Sequence, residues 1–238
     1  MKSNWGVLEY AGLYLLGLVL DIPAYRERAK HFLKVCLHIQ VLDDGMQWEV
    51  SPMYHNEVLL CMMEAIRISQ IYGDFLFDDD ELALIRRMAL VDVYLKNPAH
   101  RQPMVGDSDD TDLRDLITQA TYLFKDSTLK FGGFDVLDYE SIWLYGTQEA
   151  KRYSLIPSHP LSAGLTHLES SGQAILRSTK QPVRVDCVPV TNLSYGGTLQ
   201  NTEGEGYILQ VGTRRYGLVL LHQDVGNTTQ YLLQCRCG

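Results

Sequence analysis

The stretch LDDGMQWEVSPMYHNE, residues 42–57, carries the clearest local structural signals in the chain. Its Asp-Asp-Gly at 43–45 predicts a tight turn, which a polar and aromatic extended segment follows. Ser51 then suits the N-cap of a helix, and Pro52 suits the first helical position, where a missing N–H costs no hydrogen bond. The stretch therefore predicts a turn, an extended segment and the start of a helix.

Tyr54 and His55 fall in the first turn of this predicted helix. Free backbone N–H groups and the positive end of the helix dipole meet there, so the position favours an anion such as a bound carboxylate. A purely structural interpretation stays open beside this functional one. In it, Tyr54 packs beside Val58 and Met62 while His55 lies on the surface.

Helical periodicity extends to both sides of the stretch. One helix face before it is formed by Tyr25, Ala29, Phe32, Leu33, Cys36, Leu37 and Gln40. Another face after it is formed by Leu113, Leu116, Ile117, Ala120, Leu123 and Phe124. Turn residues interrupt the pattern at 73–74, 97–98 and 106–110. From Gly6 to about Tyr145 we therefore expect about five or six helices, packed side by side as helical hairpins.

After Pro157 the pattern changes from helices to strands. The strand candidates are runs rich in β-branched and aromatic residues. They are Val183 to Val185, Tyr207 to Val211, Tyr216 to Leu221 and Tyr231 to Gln234. Because helices precede strands, we expect an α+β chain with a helical domain at residues 1–156 and an antiparallel β domain at residues 157–238.

The composition is that of a globular protein. Of the 238 residues, 46% are hydrophobic and 21% are charged, which excludes a disordered or collagen-like chain. The net charge of −8 argues against a nucleic-acid partner. The longest apolar run, Ala11 to Leu20, is about half of the roughly 20 residues that a bilayer span needs. We therefore expect no membrane span and, without a signal peptide in this sequence, a cytoplasmic location, or a periplasmic or secreted one if the true N-terminus is missing.

Two acidic stretches resemble helix starts. They are Asp78-Asp79-Asp80-Glu81 and Gly106-Asp107-Ser108-Asp109-Asp110-Thr111-Asp112. Their simplest role is helix capping, because carboxylates satisfy the free N–H groups of a first turn. A calcium loop in the second stretch is a weak alternative, since the glycine and distant glutamate of an EF-hand are missing. We expect no metal and no cofactor.

Four blocks of sequence resemble the heparinase II/III family of polysaccharide lyases. The blocks are Asn4 to Glu9, Asp44 to Glu49 continuing through Ser51 to His55, Gly106 to Asp109, and Ser171 to Ser178. They occur in the family's order. The resemblance implies an incomplete α/α toroid of helical hairpins followed by a partial antiparallel β-sandwich, an architecture similar to that of alginate lyases.

The resemblance also implies β-elimination at a uronic acid. A base removes the C5 proton, the site neutralises the adjacent carboxylate, and departure of the 4-linked sugar leaves an unsaturated uronate. Tyr54 matches the catalytic tyrosine and Asn4 the carboxylate-neutralising asparagine. The residues implied to line or brace the cleft are Trp48, Glu49, His55, Asp107 and Asp109. The implied partner is a uronic-acid polysaccharide of the heparin, heparan sulfate or alginate type.

A tyrosine that acts as a base needs special surroundings. Its pKa starts near 10, so Tyr54 would need a cationic neighbour or a helix N-terminus to lose its proton. Members of the family usually carry a glycine-rich motif with a catalytic histidine in the sandwich. The nearest match in this chain is Leu221-His222-Gln223-Asp224, which lacks the glycines. A catalytically inactive, saccharide-binding remnant of such a lyase therefore stays open. So does a hydrolase that pairs Glu49 with Asp107 or Asp109.

The first predicted helix indicates self-association. Apolar residues between Val7 and Leu20 surround most of its circumference, which suits a helix with neighbours on more than one side. In the family that this chain resembles, further helices come before this point, so we expect a chain shortened at both ends. An apolar helix face without a neighbour favours association.

Overall fold

The structure is a computed structural model of the chain. It describes residues 3–104, 107–178, 197–202, 206–211, 214–217, 221–225 and 228–234. The strand candidate Val183 to Val185 lies outside the described residues.

Eight helices precede the strands in the described part of the chain. They are α1 (Asn4–Val19), α2 (Pro23–Gln40), α3 (Pro52–Tyr72), α4 (Asp79–Leu95), α5 (Arg114–Phe124), α6 (Ser127–Gly132), α7 (Tyr139–Tyr145) and α8 (Glu149–Ser154). Seven of them end by Tyr145, so the predicted number is too low. The sequence pattern misses α6 and α7 because six and seven residues are too few to show a 3.6-residue period.

The long helices begin and end where the local chemistry predicts. Asp78 and Glu81 form a capping box at α4, in which each side chain accepts a hydrogen bond from the other residue's backbone N–H. Gly73 ends α3 in the left-handed conformation. Pro23 and Pro52 occupy the first turns of α2 and α3. The cap predicted from the first acidic stretch is confirmed.

The second acidic stretch caps α5 only through its last residue, Asp112, whose Oδ1 accepts a hydrogen bond of 3.0 Å from the backbone N–H of Arg114. α5 begins only at Arg114, and its N-cap position holds Leu113, whose side chain makes no capping hydrogen bond. Residues 107–112 form a loop in front of the helix. The capping interpretation of Asp107 to Asp110 is therefore wrong, because this loop contacts the start of α3 instead.

The helices pack as neighbouring pairs. Contacts join α1 to α2, α3 to α4, α5 to α6 and α7 to α8, in agreement with the predicted hairpins. Further contacts join α1, α3, α5 and α7 in order, and α4 to α6. The core between them buries aliphatic side chains from α1 to α5, including Val7, Leu33, Leu59, Ile85 and Ile117.

Antiparallel strands follow the helices, as the sequence predicts. They are β1 (Gly164–Leu168), β2 (Gln173–Ser178), β3 (Gly197–Thr202), β4 (Gly206–Val211), β5 (Arg214–Gly217), β6 (Leu221–Val225) and β7 (Thr228–Gln234). One sheet has the order β1-β2-β7-β6 and a second has the order β3-β4-β5. The predicted strands at 207–211 and 231–234 lie in β4 and β7. Of the candidate at 216–221, the first two residues lie in β5 and the last in β6, while residues 218–220 lie outside the described residues.

A second buried cluster joins the helices to the first sheet. Its members come from α4, from β1 and β2, and from the loop before α3; they are Met46, Val91, Leu95, Leu168 and Ile175. Burial of these apolar side chains holds the loop between α4 and the sheet. The loop that precedes Tyr54 is therefore part of the packed structure.

The apolar surface predicted on α1 is present. Leu16 is 49% exposed and Val19 is 54% exposed, while Val7 and Tyr14 are buried on the core side. Among the described residues, no helix combines the length and the hydropathy that a membrane span requires.

Candidate active site

Ser108 supplies the hydroxyl that closes the N-terminus of α3. Its Oγ accepts a hydrogen bond of 3.1 Å from the backbone N–H of Met53 and lies 2.9 Å from Ser51 Oγ. Ser51 occupies the N-cap position, as predicted, yet its own side chain makes no capping hydrogen bond. The acidic loop is therefore fastened to the helix end at which Tyr54 lies.

Tyr54 and Asp107 form the most direct polar pair of the site. The exposed Tyr54 hydroxyl donates a hydrogen bond of 2.5 Å to Asp107 Oδ2. This hydrogen bond raises the pKa of Tyr54, and the nearby negative charge of Glu49 acts in the same direction. In the described part of the chain, the charged side chains that act on Tyr54 are the carboxylates of Asp107 and Glu49, which oppose its ionisation. The arrangement keeps Tyr54 protonated, as a proton donor requires.

His55 lies inside the protein, so the interpretation that places it on the surface is wrong. Its Nδ1 accepts a hydrogen bond of 3.1 Å from the backbone N–H of Gln47, and its Nε2 lies 3.1 Å from the carbonyl oxygen of Met88. Nε2 therefore carries the proton and donates to that carbonyl. Burial lowers the pKa of His55 to about 4, so the ring is neutral at pH 7. The resemblance implies that His55 lines or braces the cleft, and a buried position suits the bracing role.

Asp92 lies behind His55 and completes the buried polar group. Its Oδ1 is 3.8 Å from His55 Nε2, and neither carboxyl oxygen has a hydrogen-bond partner among the described residues. Burial raises the pKa of Asp92 well above its ordinary value. Burial therefore favours the protonated, neutral form of this carboxyl group, because a lone buried negative charge is very costly.

Glu49 and Trp48 occupy the loop that approaches Tyr54. The backbone N–H of Glu49 donates a hydrogen bond of 2.8 Å to Gln47 Oε1. Gln47 Nε2 in turn donates a hydrogen bond of 3.3 Å to Glu49 Oε1. Trp48 is partly exposed, and its backbone N–H donates 2.8 Å to the carbonyl of Gln40. Both side chains thus project from a loop that its own hydrogen bonds hold in place.

Asp109 reaches the site mainly through its backbone. Gln102 Nε2 donates a hydrogen bond to the carbonyl oxygen of Asp109, and Gln102 Oε1 accepts one of 2.7 Å from Asn56 Nδ2. Asp109 itself is exposed. The buried Gln102 side chain therefore ties the acidic loop to α3 a second time, one turn beyond the Ser108 contact.

Asn4 is the first residue of α1. Its Oδ1 accepts a hydrogen bond of 3.0 Å from the backbone N–H of Trp5. Gln40 connects this end of α1 to the site loop. Its Nε2 donates a hydrogen bond of 3.0 Å to the carbonyl oxygen of Ser3, and its own backbone carbonyl accepts a hydrogen bond from the backbone N–H of Trp48. Within the described ranges no hydrogen bond joins Asn4 to Tyr54. Because the roles implied for Asn4 and Tyr54 require both side chains to meet the same uronate, we predict that the two face one cleft.

Asp44 links two of the sequence blocks directly. Its Oδ2 accepts hydrogen bonds of 2.7 Å from the backbone N–H of Ser171 and 2.9 Å from its hydroxyl. Gly45 follows with a φ of +94°, and a Cβ there would lie 2.6 Å from the backbone of Arg87. The Asp-Gly pair therefore holds the site loop against both the β1–β2 turn and α4.

Sequence reasoning did not single out Ser108 or Gln102 as site residues. Each acts through a hydrogen bond to a residue about fifty positions away, for which a single sequence offers no periodic signal. For Asp44 and Ser171 a signal did exist, because both belong to the blocks quoted for the resemblance.

Comparison with known proteins identifies the family and the fold of the chain. The family profile described as Heparinase II/III N-terminus matches residues 1–131. The crystal structure of Heparinase III is similar at 14% identity with a TM-score of 0.61, over 90% of this chain and 34% of that one. Heparan sulfate lyase HepC from Pedobacter heparinus is similar at 17% identity with a TM-score of 0.52, over 92% of this chain and 33% of that one.

These structural similarities show the fold. The chain spans about a third of the length of the two solved structures. The comparison with curated proteins finds no match. The family profile covers more than half of the chain, including Asn4, Tyr54 and the Asp107 loop. The chain therefore belongs to the heparinase II/III family.

Proposed function

We propose that this chain provides part of a polysaccharide lyase that cleaves uronic-acid-containing polysaccharides by β-elimination. The observation that supports it most strongly is the hydrogen bond from Tyr54 to Asp107 at the exposed start of α3. Family membership and the names of the similar structures, Heparinase III and heparan sulfate lyase, favour a heparan sulfate type of substrate. An alginate-type polymer is the second candidate.

The elimination needs two proton transfers. A base takes the C5 proton, and an acid gives a proton to the O4 oxygen as the C4–O4 bond breaks. A protonated hydroxyl beside a carboxylate suits the second transfer, so we assign to Tyr54 the role of general acid. In this assignment Asp107 orients the hydroxyl, and the amide of Asn4 neutralises the substrate carboxylate while charge develops on it.

The remaining implied residues have supporting roles in the proposal. Trp48 and Glu49 line the cleft from the loop before α3, Asp109 lines it from the acidic loop, and His55 braces the floor. His55 is suited to this because its two ring nitrogens join the backbones of the site loop and α4.

We further propose that the helices form part of an α/α toroid at residues 1–156 and the strands part of a β-sandwich at residues 157–238. The ordered contacts among α1, α3, α5 and α7 support the first part. The two antiparallel sheets support the second.

The decisive test is product formation. The chain is incubated with heparan sulfate, heparin and alginate, and absorbance of the unsaturated uronate is followed. Elimination predicts a rising absorbance with at least one polymer, whereas hydrolysis by a Glu49 and Asp107 pair would produce new reducing ends without the chromophore. Reducing ends alone would overturn the proposal.

A saccharide-binding protein without catalytic activity is a second candidate. It is favoured by the surroundings of Tyr54, since no histidine side chain in the described ranges hydrogen-bonds to its hydroxyl and His55 faces the interior. Saturable binding of the polymers without absorbance change would select this candidate.

A further inference from the structure

Basic side chains gather where α4 ends. Lys96 is the C-cap residue of α4, His100 follows it in the next loop, Arg114 begins α5 and Arg177 comes from β2. We call these four residues the basic cluster. The positive charges of Arg114 and Arg177 both act on Lys96, and those of Lys96 and Arg114 act on His100. In a chain with a net charge of −8, such a cluster indicates a site for an anion.

Two members of the basic cluster already have negative partners. Arg114 pairs with Asp112 at 2.6 Å. Arg177 donates hydrogen bonds of 3.3 Å and 3.1 Å to the carbonyl oxygens of Val93 and Tyr94. These carbonyls lie at the negative end of the α4 dipole. The charges of both arginines are therefore partly balanced within the protein.

Lys96 forms no ion pair within the described ranges, although it is only 6% exposed. The carboxylate whose charge acts on it there is that of Asp112, which pairs with Arg114. Its Nζ lies 5.4 Å from the centre of the Phe131 ring, which attracts a cation without supplying a negative charge. Burial and the two arginines lower the pKa of Lys96 to about 8, so at pH 7 it still carries most of its charge. A buried charge without a counter-charge is costly, and a bound anion would supply one.

His100 holds the ammonium group of Lys96. Lys96 Nζ lies 2.9 Å from His100 Nδ1, and because an ammonium group can only donate, Nδ1 is the acceptor. Burial and the charges of Lys96 and Arg114 lower the pKa of His100, so the ring is neutral at pH 7. Its backbone is fixed as well, since its N–H donates 2.9 Å to the carbonyl of Asn97 and its carbonyl accepts 2.9 Å from the N–H of Leu113. The other two N–H groups of the ammonium are left to a ligand.

The basic cluster shares a loop with the candidate active site. The loop between α4 and α5 doubles back on itself, because Arg101 and Asp112 form an antiparallel bridge. Beyond this bridge the same loop carries Asp107, which contacts Tyr54. At no more than about 3.6 Å per residue, the seven residues from His100 to Asp107 span at most about 25 Å. One oligosaccharide could therefore contact both places.

We propose that Lys96 binds an oxyanionic group of a ligand, with His100 holding the ammonium in place. Two N–H groups of the ammonium donate to oxygens of the anion, while Arg114 and Arg177 add positive potential. Arg114 and His100 are partly exposed, so an ion can approach the cluster from the solvent. The shared loop with Asp107 points to an acidic group of the polysaccharide, a sulfate or a uronate carboxylate, and this part rests on the proposed function.

Inorganic sulfate and acetate test the site without any polysaccharide. Imidazole resonances of His100, assigned by their loss in His100→Asn, give its pKa at an ionic strength held constant with sodium chloride. We expect at least one of the two anions to raise this pKa in a saturable way, because a bound anion offsets the charges of Lys96 and Arg114. A pKa that neither anion changes in the native chain would overturn the site.

A variant then locates the binding. Lys96→Met keeps an aliphatic side chain, removes the charge and should weaken anion binding about tenfold or more. The matched control is Lys151→Met, the same change at an exposed position on α8, which should bind like the native chain. Circular dichroism checks that both variants are folded. Equal affinity in the two variants would mean an adventitious ion only and would overturn the proposal.

Polymer binding identifies the source of the anion. Titration calorimetry compares Lys96→Met with Lys151→Met on heparan sulfate and on its desulfated form. A loss of affinity confined to heparan sulfate assigns a sulfate group, and an equal loss on both polymers assigns a uronate carboxylate. No loss on either polymer overturns the polysaccharide part of the proposal. Failure of the proposed function is distinguishable, since the native chain would then eliminate no polymer while sulfate or acetate still bound.

Discussion

The hydroxyl of Tyr54 lies 2.5 Å from Asp107 Oδ2, across 53 positions of sequence. Because the hydrogen bond to this carboxylate raises the pKa of Tyr54, the pair keeps the phenol protonated. A protonated phenol cannot take up a proton as a general base, but it can donate one as a general acid. The direction of this pKa change underlies the assignment of Tyr54 to protonation of the leaving oxygen.

Asp107→Asn should lower the pKa of Tyr54. The substitution keeps a hydrogen-bond acceptor but removes the negative charge that disfavours the phenolate. Titration of phenolate absorbance, corrected with Tyr54→Phe, measures this pKa directly. Asp109→Asn is the matched control, because no hydrogen bond joins the Asp109 side chain to Tyr54 in the described part of the chain. An unchanged pKa in Asp107→Asn would contradict the described pair.

Asp92→Asn should increase stability at pH 7 relative to the native chain. Above pH 4 the unfolded Asp92 ionises while the folded one, whose pKa is raised by burial, stays protonated. Native stability therefore decreases as the pH rises through this window, and asparagine removes that decrease. We expect the free energy of unfolding gained by the substitution to be clearly larger at pH 7 than at pH 4.

Urea unfolding at both pH values measures the gain. His55 titrates in both proteins, since its pKa of about 4 lies below the unfolded value, so its contribution cancels in the difference. A difference in stability that stays constant between pH 4 and pH 7 would show that Asp92 is ionised in the folded chain.

Gly45→Ala should destabilise the chain. The residue has a φ of +94°, and an added Cβ would lie 2.6 Å from the backbone carbon of Arg87, so we expect a loss of roughly 1–3 kcal/mol. Gly12→Ala is the control, for which we expect a change in stability of the opposite sign. Nothing lies within 4 Å of its Cβ position in α1, and alanine there should gain about 0.5–1 kcal/mol. Thermal unfolding distinguishes the two, and equal effects would contradict the loop geometry.

The exposed apolar face of α1 should cause self-association. Leu16 and Val19 are about half exposed on this helix. Size-exclusion chromatography of the native chain should give an apparent mass above that of a monomer, and the double change Leu16→Lys with Val19→Lys should restore the monomer. Trp143→Lys, at another exposed apolar position, on α7, should leave the association intact. A monomeric native chain would refute this prediction.

Local signals in the sequence predicted local structure well. Pro52 marks the start of α3, the acidic stretch at 78–81 predicts the cap of α4, and Gly73 ends α3. Each of these depends on groups within a few residues, which the sequence displays directly. The change from helices to strands after Pro157 was equally visible, because hydrophobic period and residue type both change there.

The site depended on contacts that no local pattern contains. His55 was open to a surface interpretation because its burial is decided by α4, which supplies Met88 and Asp92. Similarly, the acidic loop resembled a helix cap, since a carboxylate before a helix is usually one. Only the packing of that loop on α3 shows that Asp107 serves Tyr54 instead.

The measurement that tests the central claim most directly compares the native chain with Tyr54→Phe on heparan sulfate. Absorbance of the unsaturated uronate gives the elimination rate, and titration calorimetry gives the affinity for the polymer. We expect the variant to lose roughly 10²- to 10⁴-fold in rate while binding stays nearly unchanged, because only the proton-donating hydroxyl is removed. Equal rates in the two proteins would contradict the role of Tyr54 as the general acid.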